Sequence, residues 1–162
     1  MKLTFLGTAG CTGIPSMYCD CPVCKNARKV KGKEIRTRSG FILDEKVAID
    51  FSADSYCNMT KNDVLFGKIK HLLITHSHED HYYPQDLALR VTSIRKTSPE
   101  IEKVLNVYGN EKVISLFREV SFFSDRVLQT VNLVKIEKNQ TFFMDDYKVT
   151  SFYVNHMPKE DS

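Results

Sequence analysis

Short apolar runs separated by turn-forming residues give the chain its first outline. KLTFL at 2–6 predicts a strand ending in a glycine-rich turn, followed by a long cysteine-bearing loop and a helical turn around 22–30. GFILDEKVAID, 40–50, predicts two strands about an Asp-Glu turn, with Asp50 closing the second apolar run. Residues 52–66 predict helix with Ser52 as N-cap, and HLLIT, 71–75, a short buried strand. PQDLALRV, 84–91, can start a helix because proline suits the first helical position. KVLNVYG predicts a strand, and NEKVISLFREV an amphipathic helix capped by Asn110. TVNLVKIE, TFFMDD and YKVTSFYV predict three closing strands, the last two as a hairpin. Strand and helix signals mix throughout, so the fold class is α/β or α+β.

The 162 residues suit a single domain, 1–162, with a real hydrophobic core. At 42% hydrophobic and 27% charged, the composition is that of an ordinary globular protein and does not suggest disorder. The net charge of +3 is small. The densest basic stretch, ARKVKGKEIRTR at 27–38, could meet phosphate, although such runs are more often solvated faces. No run is long and apolar enough to span a bilayer, so no membrane partner is expected. The apolar LTFL near the start is too short for a signal peptide ending at Cys11, which predicts a cytoplasmic chain. Five cysteines is an odd number, and three crowd into CDCPVC, a pattern that favours metal over disulfides in a cytosolic chain.

The chemistry concentrates in THSHEDH, 75–81. On a helix, His76 and His78 would lie about 200° apart and could not share a cation. At a strand end or in a tight loop, side chains two apart fall on one side. A buried strand opening into a polar loop therefore holds both imidazoles together, and Asp80 and His81 add a second pair of ligands nearby. The alternatives are a histidine-rich surface loop, which fits poorly beside a buried strand, and a structural zinc, which prefers four closed ligands rich in cysteine. An open metal site is the reading these residues favour.

HSHEDH resembles the HxHxDH signature of the metallo-β-lactamase superfamily of binuclear metallohydrolases. The resemblance implies an αββα sandwich with metals at a sheet edge, of which this sequence would carry the first half and part of the second. It implies that His76, His78 and His156 hold one metal. Asp80 and His81, the catalytic candidates, would hold the other, and Asp50 would orient a ligand histidine through its free N–H. It also implies a bridging aspartate and a last histidine beyond His156. Asp161 follows too soon to be that aspartate, so the sequence is expected to be a C-terminally incomplete fragment rather than a natural truncation.

GTAGCTGIPSMYCDCPVC, with CxCxxC at Cys19, Cys21 and Cys24, and RTRSGFIL at 36–43 resemble the branch of cyclic phosphodiesterases that contains PhnP. That branch implies a structural zinc on a loop at 19–24, completed by a histidine far downstream. Read from the residues alone, three adjacent thiolates cannot all pair with one another, and such a cluster suits Zn²⁺. A CxxC redox pair of Cys21 with Cys24 would leave Cys19 unexplained. Cys57 and His71 are open candidates for a fourth ligand, and Cys11 reads as a small buried residue. Gly7, Gly10 and Gly13 precede no GK[ST] and make no phosphate loop.

The expected activity is a phosphodiesterase using a hydroxide bridged by two divalent ions, Zn or Mn, on a small cyclic or alkyl phosphodiester. Arg36, Arg38 and Ser39 are candidate phosphate contacts, against plain surface placement. Tyr82 and Tyr83 are either packing residues or the substrate mouth. Alternatives are an RNase Z-like nuclease, which would want a basic surface for its nucleic acid, and a metal-binding protein without turnover. A homodimer stays open.

Overall fold

The computed structural model describes residues 1–93, 101–120, 122–157 and 160–161. Its centre is a six-stranded sheet whose strands follow sequence order: β1 Leu3–Gly7, β2 Gly40–Leu43, β3 Val47–Ile49, β4 His71–Leu73, β5 Leu105–Gly109 and β6 Val131–Lys135. β1, β2 and β3 are antiparallel, joined between β2 and β3 by the expected turn, where Asp44 and Glu45 both take positive φ. From β3 to β6 the pairing is parallel, so each crossover needs an intervening segment. α2 Ser55–Lys61 lies between β3 and β4, α3 Leu89–Ser93 between β4 and β5, and α4 Glu111–Arg118 and α5 Asp125–Leu128 between β5 and β6.

Alternation along the strands sends side chains to two faces. Ala48, Leu72 and Val107 join Tyr82, Leu87, Val113 and Phe117 in the larger core, beneath the helices. Val47, Leu73 and Tyr108 face the other way, against the hairpin of β7 Thr141–Met144 and β8 Tyr147–Thr150. The hairpin is fastened at its turn, where Lys70 Nζ lies 2.7 and 2.8 Å from the Asp145 carboxylate oxygens and Tyr147 Oη donates to Asp44 at 2.9 Å. Among the described residues no helix is long and apolar enough to cross a membrane.

Several local expectations are corrected. Residues 22–30 form a full helix, α1 Pro22–Val30, entered through Pro22. Ser52 does not cap α2: the residue before the helix is Asp54, and Ser52 Oγ only closes a turn onto the Asp54 N–H at 3.3 Å. Residues 84–88 form a 3₁₀ turn before α3. Residues 151–154 leave the hairpin, and the next strand is β9 Asn155–Met157, paired with β10 Glu160–Asp161. Asn110 caps α4 as expected, its side chain accepting from Val113 N at 3.0 Å.

Candidate metal centre

Parallel strands collect ligands at their C-terminal edge, and both polar segments arrive there. Asp50 follows β3 with φ +62, a left-handed turn that aspartate tolerates. THSHEDH follows β4 as a tight loop, with His81 and Tyr82 N–H both donating to the His78 carbonyl. The strand end and the loop are stitched together by Asp50 N to Leu73 O at 2.8 Å and Phe51 N to His81 O at 2.7 Å.

One ring nitrogen each of His76, His78 and His156 lies within 4.8 Å of the others. His76 Nε2 and His78 Nδ1 are 3.1 Å apart, close to the ~3.4 Å separation that Zn–N bonds of about 2.0–2.1 Å give in tetrahedral geometry. His156 reaches the group from β9, its ring centroid 4.7 Å from that of His76 and 5.1 Å from that of His78. Burial, then the neighbouring His81, His78 and His156, push the His76 pKa down to about 4, so the ring is neutral at neutral pH with a lone pair to give. Three imidazoles at this spacing fit a divalent cation.

Asp50 serves two histidines at once. Its Oδ2 accepts from His81 Nδ1 at 2.7 Å, and this bond holds the His81 pKa above its ordinary value. Its Oδ1 accepts from the N–H and hydroxyl of Thr75, each at 2.9 Å. With the hydroxyl proton committed to Asp50, Thr75 Oγ1 accepts from His76 Nδ1 at 3.1 Å, which assigns the tautomer that leaves Nε2 open toward His78. The sequence reading placed Asp50 as an orienting group but missed Thr75; a hydroxyl between a strand end and the first histidine was the available signal. Asp80 lies beside His81, Oδ2 to Nε2 being 3.4 Å, so these two present adjacent donors.

The cysteines form a separate group at the entrance to α1. The sulfurs of Cys19, Cys21 and Cys24 lie within 4.8 Å of one another, and among the described residues no fourth donor joins them. The Cys24 N–H, then the Cys19 thiol, lower the Cys21 pKa to about 7. Arg28 on α1 braces the loop, donating to Cys19 O at 2.8 Å and Ser16 O at 2.7 Å. Cys57 is exposed on α2. His71 is at the opposite end of the sheet, bonded to Tyr108 Oη at 3.0 Å and Asp145 Oδ2 at 3.2 Å. Cys11 is exposed, not buried as expected, because it lies in the turn after β1.

The three phosphate-contact candidates separate. Ser39 Oγ donates to the Ala9 carbonyl at 3.0 Å, a bond that holds the turn. Arg36 donates to Thr8 Oγ1 and borders a hollow beside β1. Arg38 borders a cleft of about 410 Å³ shared with His78, Asp80 and Tyr83. Tyr82, by contrast, is core. An apolar groove of about 500 Å³ reaches the histidines from the hairpin side, between Thr75, His76, Phe152 and His156.

This architecture has counterparts. A diphosphatase from the PhnP family superposes with a TM-score of 0.75 and 24% identity, over 98% of this chain and 59% of that one. The fold is the metallo-β-lactamase fold. Zn²⁺-bound PqqB from Methylobacterium extorquens superposes with a TM-score of 0.69 and 19% identity, over 94% of this chain and 55% of that one. The metallo-β-lactamase fold protein YhfI from Bacillus subtilis does so with a TM-score of 0.62 and 15% identity, over 98% and 54%. The chain thus spans a little over half the length of these structures. No protein-family model and no curated protein sequence matches it.

Proposed function

We propose that this metallo-β-lactamase-fold chain belongs to a metal-dependent hydrolase that cleaves a small cyclic or alkyl phosphodiester. The observation that carries the reading is the convergence of His76, His78 and His156 within 4.8 Å at the C-terminal edge of the parallel strands. In this reading those three hold one divalent ion, Zn or Mn, Asp80 and His81 hold a second, and Cys19, Cys21 and Cys24 hold a structural zinc. Cations so placed lower the pKa of bound water and offset charge on a phosphoryl oxygen. The chain's own residues prepare the site. Burial keeps His76 neutral, Asp50 fixes the His81 ring directly, and Thr75 relays the same carboxylate to His76. The likeness to a PhnP-family diphosphatase supports phosphorus chemistry and brings in a second substrate class, the phosphoanhydrides. Five free cysteines suit a reducing compartment, and we assign the protein to the cytoplasm.

The test is metal analysis together with turnover of bis-(p-nitrophenyl) phosphate and of precursor tRNA, in the wild-type chain and in His76→Ala. Metal-dependent cleavage of the small diester that disappears in His76→Ala is the expected result. Unchanged turnover in that variant overturns the assignment. Cleavage of the tRNA alone makes the protein a nuclease, and zinc on the cysteines without turnover makes it a metal-binding protein.

A further inference from the structure

We propose that Arg38 holds a second phosphoryl group of the substrate, next to the one that reacts. This inference rests on the hydrolase reading above and names the substrate class the cleft selects: phosphoanhydride diesters ahead of simple phosphodiesters.

Arg38 shares its cleft with His78 and Asp80, which ties it to the metal centre, and Tyr83, Ala53, Cys11 and Glu79 supply the remaining wall. At about 410 Å³ the cleft falls within the size range of small-ligand sites. The guanidinium is held firmly. Its Nε donates to Cys11 O at 3.1 Å and its Nη1 to Asp54 Oδ1 at 3.2 Å, while Asp54 Oδ2 accepts from the Arg38 backbone N–H at 2.9 Å. The adjoining Thr37 hydroxyl is fixed to Asn58 on α2 at 2.6 Å. Gly7 allows this approach, since a Cβ there would overlap the Arg38 carbonyl oxygen.

Asp54 directly precedes α2, where an aspartate ordinarily accepts from the helix's first N–H groups; here it makes no such cap. Its carboxylate is given over to Arg38. Nη2 has no hydrogen-bond partner among the described residues, and the side chain is 28% exposed. A guanidinium fixed on one side and open on the other is pre-organised to donate to phosphoryl oxygens, and little side-chain entropy remains to be lost on binding. Glu79 and Asp80, which also line the cleft, would repel an anion unless cations balance them, which is why the inference depends on a loaded metal centre. Asp54 acts through Arg38 and is a positioning residue.

The experiment compares the wild-type, Arg38→Met, Arg38→Lys and Asp54→Asn chains, each loaded with Zn or Mn, on two substrates. Bis-(p-nitrophenyl) phosphate carries one phosphoryl group; diadenosine diphosphate carries two and releases AMP. Arg38→Met should raise KM for diadenosine diphosphate by about 10- to 100-fold, the loss of a charge-assisted hydrogen bond, and should raise KM for the aryl diester by clearly less. Arg38→Lys should recover part of that loss, and Asp54→Asn should raise the same KM a few-fold. Metal content and Tm, measured alongside, report a merely structural role. Equal effects of Arg38→Met on both substrates, or none on either, overturn the inference while leaving the hydrolase reading intact. Absence of metal-dependent turnover of either substrate by the wild-type chain overturns both.

Discussion

Strand β4 opens on His71 and leads into the loop that carries His76, and the two are buried alike: His71 is 3% exposed and His76 is 6% exposed. His71 Nδ1 meets the Tyr108 hydroxyl and Nε2 the Asp145 carboxylate, so both ring nitrogens have complementary partners and the ring locks the hairpin to the sheet. His76 Nδ1 reaches Asp50 through Thr75, and its Nε2 lies 3.1 Å from Nδ1 of a second imidazole, that of His78. Burial is therefore not what separates a structural histidine from a ligand. The separation lies in whether the ring's second nitrogen meets a carboxylate or hydroxyl or instead another potential metal ligand, an imidazole.

Substituting the two histidines should give opposite phenotypes. His76→Ala is expected to lower metal affinity at the histidine centre by more than roughly 100-fold, beyond what loss of an orienting group costs, with the fold retained by circular dichroism. His71→Ala should leave metal stoichiometry unchanged and lower stability by about 1–3 kcal/mol, as Tyr108 and Asp145 lose their partner. Chemical denaturation with parallel metal analysis checks both, and equal metal loss in the two variants would erase the contrast.

Asp50→Asn sharpens the comparison within the metal edge. It replaces one of the two carboxylate oxygens with an NH₂ donor, so His81 and Thr75 can no longer both be served, and metal affinity should fall about 10- to 100-fold. Thr75→Val, which cuts only the His76 branch, should cost less; competition against a chromogenic chelator would rank them.

The smallest effect is on pH dependence in the metal-free chain. Burial holds the His76 pKa at about 4 in the folded chain, below the ordinary 6.5 of an imidazole, so its contribution is present above pH 6.5 and lost as pH falls through that window. His81 has the opposite sign: its raised pKa gives stability that is present below 6.5 and lost as pH rises through the folded value. At the other end, hydrogen bonds from Lys70 and then His71 lower the Asp145 pKa, so its contribution is present above 3.8 and lost only in stronger acid. Denaturation midpoints from pH 3 to 8 should show the His76 loss between 6.5 and 4, and His76→Ala should remove that step alone.

Much of the sheet could be read from the chain because its signals are local. The Asp-Glu turn between β2 and β3, the Asn110 cap and the hairpin about residues 145–146 are each settled by neighbours in sequence. The Ser52 cap failed because the same short segment offered Asp54 as well, and Asp54 itself is drawn to Arg38, sixteen positions away. Tyr82 and Tyr83 could not be separated by type; the alternation of the loop sends one into the core and the other to the cleft.

By itself the sequence determined that His76 and His78 sit on one side of a strand end, and that three thiols crowd one loop, because spacing of a few residues fixes side-chain direction. Only the tertiary structure decided that His156 closes the group from 75 residues beyond His81, that Asp50 serves His81 and Thr75 together, and that Arg38 rather than Arg36 or Ser39 borders the cleft. Those relations depend on which strands pair and where each ends, and that is set by burial of the whole sheet rather than by any local preference.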